Sequence, residues 1–272
     1  MSAEVRRAKL DKRIFKLARE FLLSFKEITP EILDKQLHYT QYKKPRNMKD
    51  IYHRLVDSSR NRNMMPKVIE SAIGKIDNLE PILEEFDPNK VFEKYGLDWE
   101  PLFNDVQQNI CGREIEGKLF PQFCKSILSG AKFLIQFESV DDFYNFIDFF
   151  DSDDRARPTL PMMIDKEITG FGFTLACDFL KEIGYENFAK PDVHLKQIFS
   201  ALSLSETDDE YDVFKAIVRV ADNVGEKPYL VDKMFWLVGS GRFYCFDINI
   251  GQHRDEFIEY AFKKLYGETE SK

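Results

Sequence analysis

Long apolar runs are missing: nowhere do about 18 hydrophobic residues follow one another, the length a helix needs to cross a bilayer. The opening M-S-A-E-V-R-R-A-K-L lacks the apolar centre of a signal peptide, so a soluble, unexported protein with no membrane partner is expected. Cysteine is scarce. The four that occur, Cys111, Cys124, Cys177 and Cys245, stand 13, 53 and 68 residues apart, which excludes a disulfide-dense scaffold and close-set metal-ligand pairs. They read as reduced packing residues. Positive charge is also in deficit, 39 Lys and Arg against 47 Asp and Glu, and a net of −8 argues at first against a polyanionic partner. The distribution answers part of that argument. Residues 1–67 hold 17 basic and 8 acidic side chains, a net of +9, so the remaining 205 residues carry −17.

What is abundant is helical periodicity. Leu10, Ile14, Leu17, Phe21, Leu22 and Phe25 recur at three- and four-residue spacing and predict an opening amphipathic helix that runs to about Thr29–Pro30. Thr29 is placed to cap the next helix, with Pro30 at its first position. The same stripe appears in Phe143, Phe146, Ile147 and Phe150, in Tyr211 to Ala221, and in Phe257 to Leu265. Only Arg242 to Ile250 alternates as a strand or hairpin would. The expected class is therefore all-α with at most a short C-terminal hairpin. The segment D-S-D-D-R-A-R-P-T-L-P, residues 151–161, breaks the helical period and reads as a connecting loop. On that basis an N-terminal helical lobe over 1–150, with a basic opening segment, precedes a second lobe over 162–272.

The most informative stretch is Ile168-Thr169-Gly170-Phe171-Gly172-Phe173-Thr174, followed by the apolar stripe Leu175, Ala176, Phe179, Leu180 and Ile183. Two glycines bracket one apolar residue where a helix begins. Glycine admits positive φ and close approach of another backbone, while the first helical turn offers unpaired N–H groups and the positive end of the dipole. Such a corner suits a phosphate. It is poor as a dinucleotide loop, which needs a third glycine and flanking strands. A plain helix–turn–helix corner, with glycine merely relieving crowding, fits the same letters.

Beyond that helix comes F-A-K-P-D-V-H-L-K-Q-I-F, residues 188–199. The order of glycine hairpin, apolar helix, short loop and D-V-H, with Asp192 20 residues after Gly172, resembles the helix-hairpin-helix DNA glycosylase superfamily of endonuclease III, oxidised-guanine glycosylase and alkyladenine glycosylase. The resemblance covers about residues 160–200. It implies a two-lobed helical fold and hydrolysis of the N-glycosidic bond of a modified or mispaired base flipped out of duplex DNA. Asp192 would be the catalytic carboxylate. Thr169, Gly170, Gly172, Thr174 and His194 would contact DNA. Asp192 equally reads as the N-cap of the helix starting at Val193, and the two roles are compatible.

Where bifunctional relatives carry a lysine, two positions after the second hairpin glycine, this chain has Thr174, which implies a water-using enzyme with weak or absent lyase activity unless Lys166 or Lys190 reaches the site. The closely spaced cysteines that hold an iron–sulfur cluster in some relatives are absent, and no cofactor or metal is expected. Residues 51–73 resemble weakly the family's early helix–loop–helix, whose loop fills the space left by the flipped base; Arg60, Asn61, Arg62, Asn63 and Met64 are the candidates, and a polar helix-terminating turn is the alternative. The basic Lys43-Lys44-Pro45-Arg46 could extend a phosphate track or lie solvated. Trp236, Gly239-Ser240-Gly241 and Phe243-Tyr244 read as a structural glycine turn among aromatics. The implied partner is double-stranded DNA, bound by a monomer in the cytoplasm or, in a eukaryote, the nucleus. A non-catalytic DNA-binding module and a helical protein-interaction scaffold remain as alternatives.

Overall fold

The computed structural model describes residues 2–39, 43–61, 66–115 and 117–267. In chain order the helices are α1 (Ala3–Leu22), α2 (Pro30–His38), α3 (Met48–Ser59), α4 (Pro66–Ile73), α5 (Pro88–Tyr95), α6 (Trp99–Val106), α7 (Leu119–Leu134), α8 (Val140–Asp151), α9 (Thr159–Glu167), α10 (Phe173–Glu182), α11 (Val193–Ala201), α12 (Glu210–Val224), α13 (Pro228–Ser240) and α14 (Arg254–Tyr266). The strands β1 (Arg242–Phe243) and β2 (Ile248–Asn249) form a two-residue antiparallel ladder, the hairpin expected between Arg242 and Ile250. The all-α class holds. No helix among the described residues is long and apolar enough to cross a membrane.

Local chemistry explains most helix starts. Ser2, Thr29, Asn47, Asp87, Asp98, Ser139, Asp192 and Asp209 each accept a backbone N–H of the following turn through the side chain. These caps satisfy donors that the helix cannot use itself. Thr29 caps α2 with Pro30 in its first turn, as the sequence predicts. The opening helix is shorter than its apolar stripe, because the chain turns after Leu22 and Phe25 packs from that turn onto Phe21, ring centroids 5.5 Å apart.

The chain forms two compact units, Met1–Gln41 with Glu186–Lys272, and Tyr42–Tyr185. Residues 151–161, read from the sequence as a connecting loop, lie inside the second unit. Their charges are spent on one another. Buried Arg157 pairs with Asp151 at 2.9 Å, donates to the Asp151 carbonyl at 2.7 Å and pairs with Asp154 at 2.5 Å, so the connection is a tight corner between α8 and α9.

In the first unit, Ile14, Leu17, Ala18, Phe21 and Leu22 of α1 join a core with Leu195, Ile198 and Phe199 of α11, Val213 and Ile217 of α12, Phe235 and Val238 of α13, and Phe257 of α14. One charged residue sits inside. Asp11 is fully buried and accepts from Arg219 Nε at 2.9 Å and Asn223 Nδ2 at 2.7 Å, both on α12. In the second unit α7 carries small residues at Ser126, Ser129, Gly130 and Ala131, which let other backbones approach. A Cβ at Gly130 would overlap Leu55 of α3, and buried Tyr52 of the same helix donates to the Ile127 carbonyl at 3.0 Å. Glu182 of α10 is buried against α3, where Ser58 Oγ donates to it at 2.7 Å. Desolvation, and then the neighbouring Asp178 carboxylate, raise its pKa above the ordinary carboxylate value.

Two outcomes follow from these buried acids. Asp11→Ala leaves Arg219 and Asn223 without their acceptor. Because Arg219 remains about a third exposed, the loss should be near ~2 kcal/mol rather than the larger cost of a fully buried pair, read as a lower urea midpoint. Glu182 binds its proton more tightly folded than unfolded, so its ionisation costs stability as pH rises through the unfolded pKa towards the folded one. Glu182→Gln should therefore gain stability over the parent at pH 7, a gain that shrinks below about pH 4; equal differences in urea midpoint at both pH values would contradict this.

Candidate functional site

The hairpin lies in the second unit and is held by α7. After α9 ends at Glu167, the Thr169 N–H donates to Ser129 Oγ at 2.9 Å, and Ser126 Oγ donates back to the Thr169 carbonyl at 2.5 Å. Gly170 then takes φ +80°, which turns the chain and lets Phe171 N–H reach the Ile168 carbonyl at 3.0 Å. Phe171 points inward, fully buried, edge-on to Phe179 at 6.1 Å. Gly172 begins α10 with no side-chain cap, its carbonyl accepting from Leu175 and Ala176. Thr169 and Gly172 are exposed, and Thr174 is half-buried.

The two glycines are there for different reasons. Gly170 is required by its backbone conformation. Gly172 has an ordinary φ of −64°, and a Cβ built on it would have no atom of the described residues within 4 Å. Neither strain nor internal crowding demands glycine there.

Asp192 lies in the first unit. The Lys190 N–H donates to Asp232 Oδ2 of α13 at 2.9 Å, and Asp192 N–H returns to the Lys190 carbonyl at 2.9 Å, which fixes the turn through Pro191. At φ −77° and ψ 179°, Asp192 then caps α11, its Oδ1 accepting from His194 N at 2.9 Å and Leu195 N at 3.1 Å. Among the described residues Oδ2 accepts no hydrogen bond, and the residue is half-buried. One oxygen is immobilised while the other stays available. His194, in the same turn, lies against Gly239 of α13 so closely that a Cβ at 239 would overlap its ring, and its buried Nδ1 has no hydrogen-bond partner among the described residues.

The remaining predicted contacts are distributed differently. Arg60, at the end of α3, is tied to Asp57 at 2.7 Å and Glu70 at 2.9 Å, so its guanidinium is engaged by two carboxylates. Asn61 follows in a turn closed by its N–H to the Ser58 carbonyl at 3.0 Å. Arg62, Asn63 and Met64 lie outside the described residues. Lys166 is exposed and pairs with Asp165 at 3.3 Å. Lys43, Lys44, Arg46 and Arg54 line an open groove of about 940 Å³ in the second unit, where Lys44 Nζ stands 3.9 Å from the centre of the Tyr144 ring.

Sequence reasoning missed Asp232, and it treated Gly239 only as part of a turn. Both hold the Asp192 segment, and their spacing of seven along α13 puts them on one helical face. That spacing was the available signal. Comparisons of the chain with protein-family models, curated proteins and solved structures return no match.

Gly239→Ala should cost about 1–3 kcal/mol by overpacking against His194. Most of that loss should disappear when His194→Gly removes both the ring and the Cβ that the added methyl would overlap. Additive losses in the double-mutant cycle would mean that the ring and the glycine do not constrain one another.

Proposed function

We propose that the chain is a DNA glycosylase that uses water to release a modified or mispaired base flipped out of duplex DNA. The observation that carries this reading is the state of Asp192: a carboxylate pinned through Oδ1 by two backbone amides, with Oδ2 unengaged by the described residues. The glycine in the capping position of α10, Gly172, and the resemblance of residues 160–200 to the helix-hairpin-helix glycosylases support it.

The chemistry suits these groups. As the C1′–N bond breaks, its electron pair leaves with the base and positive charge develops on the deoxyribose. A fixed carboxylate needs no reorganisation to stabilise that charge, and it can take a proton from the water that adds to C1′. The departing base takes up a proton in turn. The hairpin amides, together with the Thr169 and Thr174 side chains, hold a backbone phosphate through N–H groups and the helix dipole. With Thr174 where a lysine amine would attack the sugar, the product is an intact strand bearing an abasic site.

Asp192→Asn separates the two roles of this residue. Asparagine caps a helix about as well as aspartate, so stability should hold while catalysis is lost. In duplexes carrying oxidised, alkylated or deaminated bases, base release should fall by roughly 10²–10⁴. Strand cleavage should need added alkali. A folded Asp192→Asn protein with full activity rejects the assignment. Salt-sensitive DNA binding without base release by the parent chain would instead identify a non-catalytic DNA-binding module, for which Asp192 is a cap alone.

A further inference from the structure

The second unit carries an apolar side chain that its core does not use. Phe149 of α8 is 70% exposed, the most exposed large hydrophobic side chain among the described residues. At about 100° per residue it lies nearly opposite the side of α8 that is buried, which carries Phe143, Tyr144 and Ile147. It is not isolated. A run of rings leads out to it from the core, Phe143 to Phe137, Phe137 to Phe146, Phe146 to Phe150 and Phe150 to Phe149, each pair with centroids 5.2 Å apart. Phe137, Phe146 and Phe150 are only partly buried, so the run presents a continuous apolar surface to water. Single exposed hydrophobics are ordinary on a protein, whereas a contiguous patch rimmed by polar groups marks a surface that a partner covers.

The charge around this patch is of one sign. Glu138, Asp141, Asp142 and Asp148 are all exposed. Asp142 accepts from the Glu138 N–H at 3.0 Å and Asp148 from Tyr185 Oη at 2.7 Å, and among the described residues none of the four pairs with a Lys or Arg. The acids of the following corner differ, because Arg155 and Arg157 take them up. Around the helix Asp142 falls about 20° from Phe149 on the side of Phe146, and Asp141 and Asp148 fall about 80° and 100° to its other side.

An occupant has to suit both features. Phosphate-bearing partners, whether nucleic acid or anionic lipid, would meet uncompensated carboxylates and be repelled. A second copy set face to face by two-fold symmetry would bring the same acids against themselves. A basic amphipathic helix suits both, since it carries Lys or Arg beside apolar residues at the three- and four-residue spacing of Phe146, Phe149 and Phe150. We propose that this face of α8 docks a basic amphipathic helix of a partner protein. Apolar contact with Phe149 and its neighbours supplies the attachment, and the acids around them select the sign of the partner. This holds whether or not the chain releases bases.

The probe is a fluorescein-labelled peptide of leucine and lysine, with leucine at three- and four-residue spacing. Its controls are the same peptide with glutamate for lysine, and the lysine peptide shuffled so that no apolar face forms. Fluorescence anisotropy should show binding of the first alone, weakened as salt is raised. Phe149→Ala, at a position outside the core, should weaken that binding by roughly tenfold with an unchanged urea midpoint. Glu138→Gln with Asp141→Asn should also weaken it and flatten its salt dependence. Glu93→Gln with Glu100→Gln, the same change of charge at exposed positions of α5 and α6, should not. No binding of the lysine peptide, equal binding of the shuffled one, or undiminished affinity in Phe149→Ala overturns the proposal. Sedimentation that shows the parent self-associating through Phe149, with the peptide excluded, would assign the face to a second copy and overturn it as well.

Discussion

The bonds that gather on buried Asp11 join the first helix to residues more than two hundred positions later. Closing a chain over such a distance costs conformational entropy, and the cost grows slowly with loop length. It is offset by the apolar face of α1, which is removed from water against α12, α13 and α14. Apolar contact is tolerant of small slips along a helix. The pairing of Asp11 with Arg219 and Asn223 is not, because a displaced carboxylate would be buried without partners. The core thus supplies most of the attraction and the acid fixes the alignment. α11 and α13, which present and brace Asp192, belong to this same unit.

Both candidate elements rest on backbone groups at helix starts. At α11 the amides are taken up internally by Asp192 Oδ1, and this is what holds the carboxylate still. At α10 the residue in the capping position is glycine, which has no side chain of its own to perform that service. A cap at 172 would strengthen the helix, and glycine there forgoes that gain. The support for each element is likewise a matter of small residues. Ser126 and Ser129 reach the hairpin backbone because α7 has no bulk at those positions, and Gly239 admits the His194 ring.

Aromatic content shows how burial sorts like from like. Phe171 and Phe173, beside the two glycines, are both interior residues, and Phe171 anchors the corner through Phe179. Tyr39 and Tyr244 stay exposed, and Trp236, partly buried against the core, meets Tyr244 edge-on. Trp236 and Tyr244 stand next to apolar neighbours, as Phe171 and Phe173 stand next to glycine, so local sequence alone does not sort them.

Helical class, the caps at Thr29 and Asp192, the stripe of α1, the C-terminal hairpin and the glycine corner were all legible in the sequence, because each depends on residues within a few positions of one another. The division of the chain was not. The charges of 151–161 look like those of an open linker, and only folding shows Arg157 buried among its own acids. Nor could the letters say that Asp232 and Gly239 secure the Asp192 turn, that Arg60 is engaged by Glu70, or that three distant aromatics form one row. Those facts arise when segments far apart in the chain are brought into contact, and a linear pattern records only what each residue does with its near neighbours.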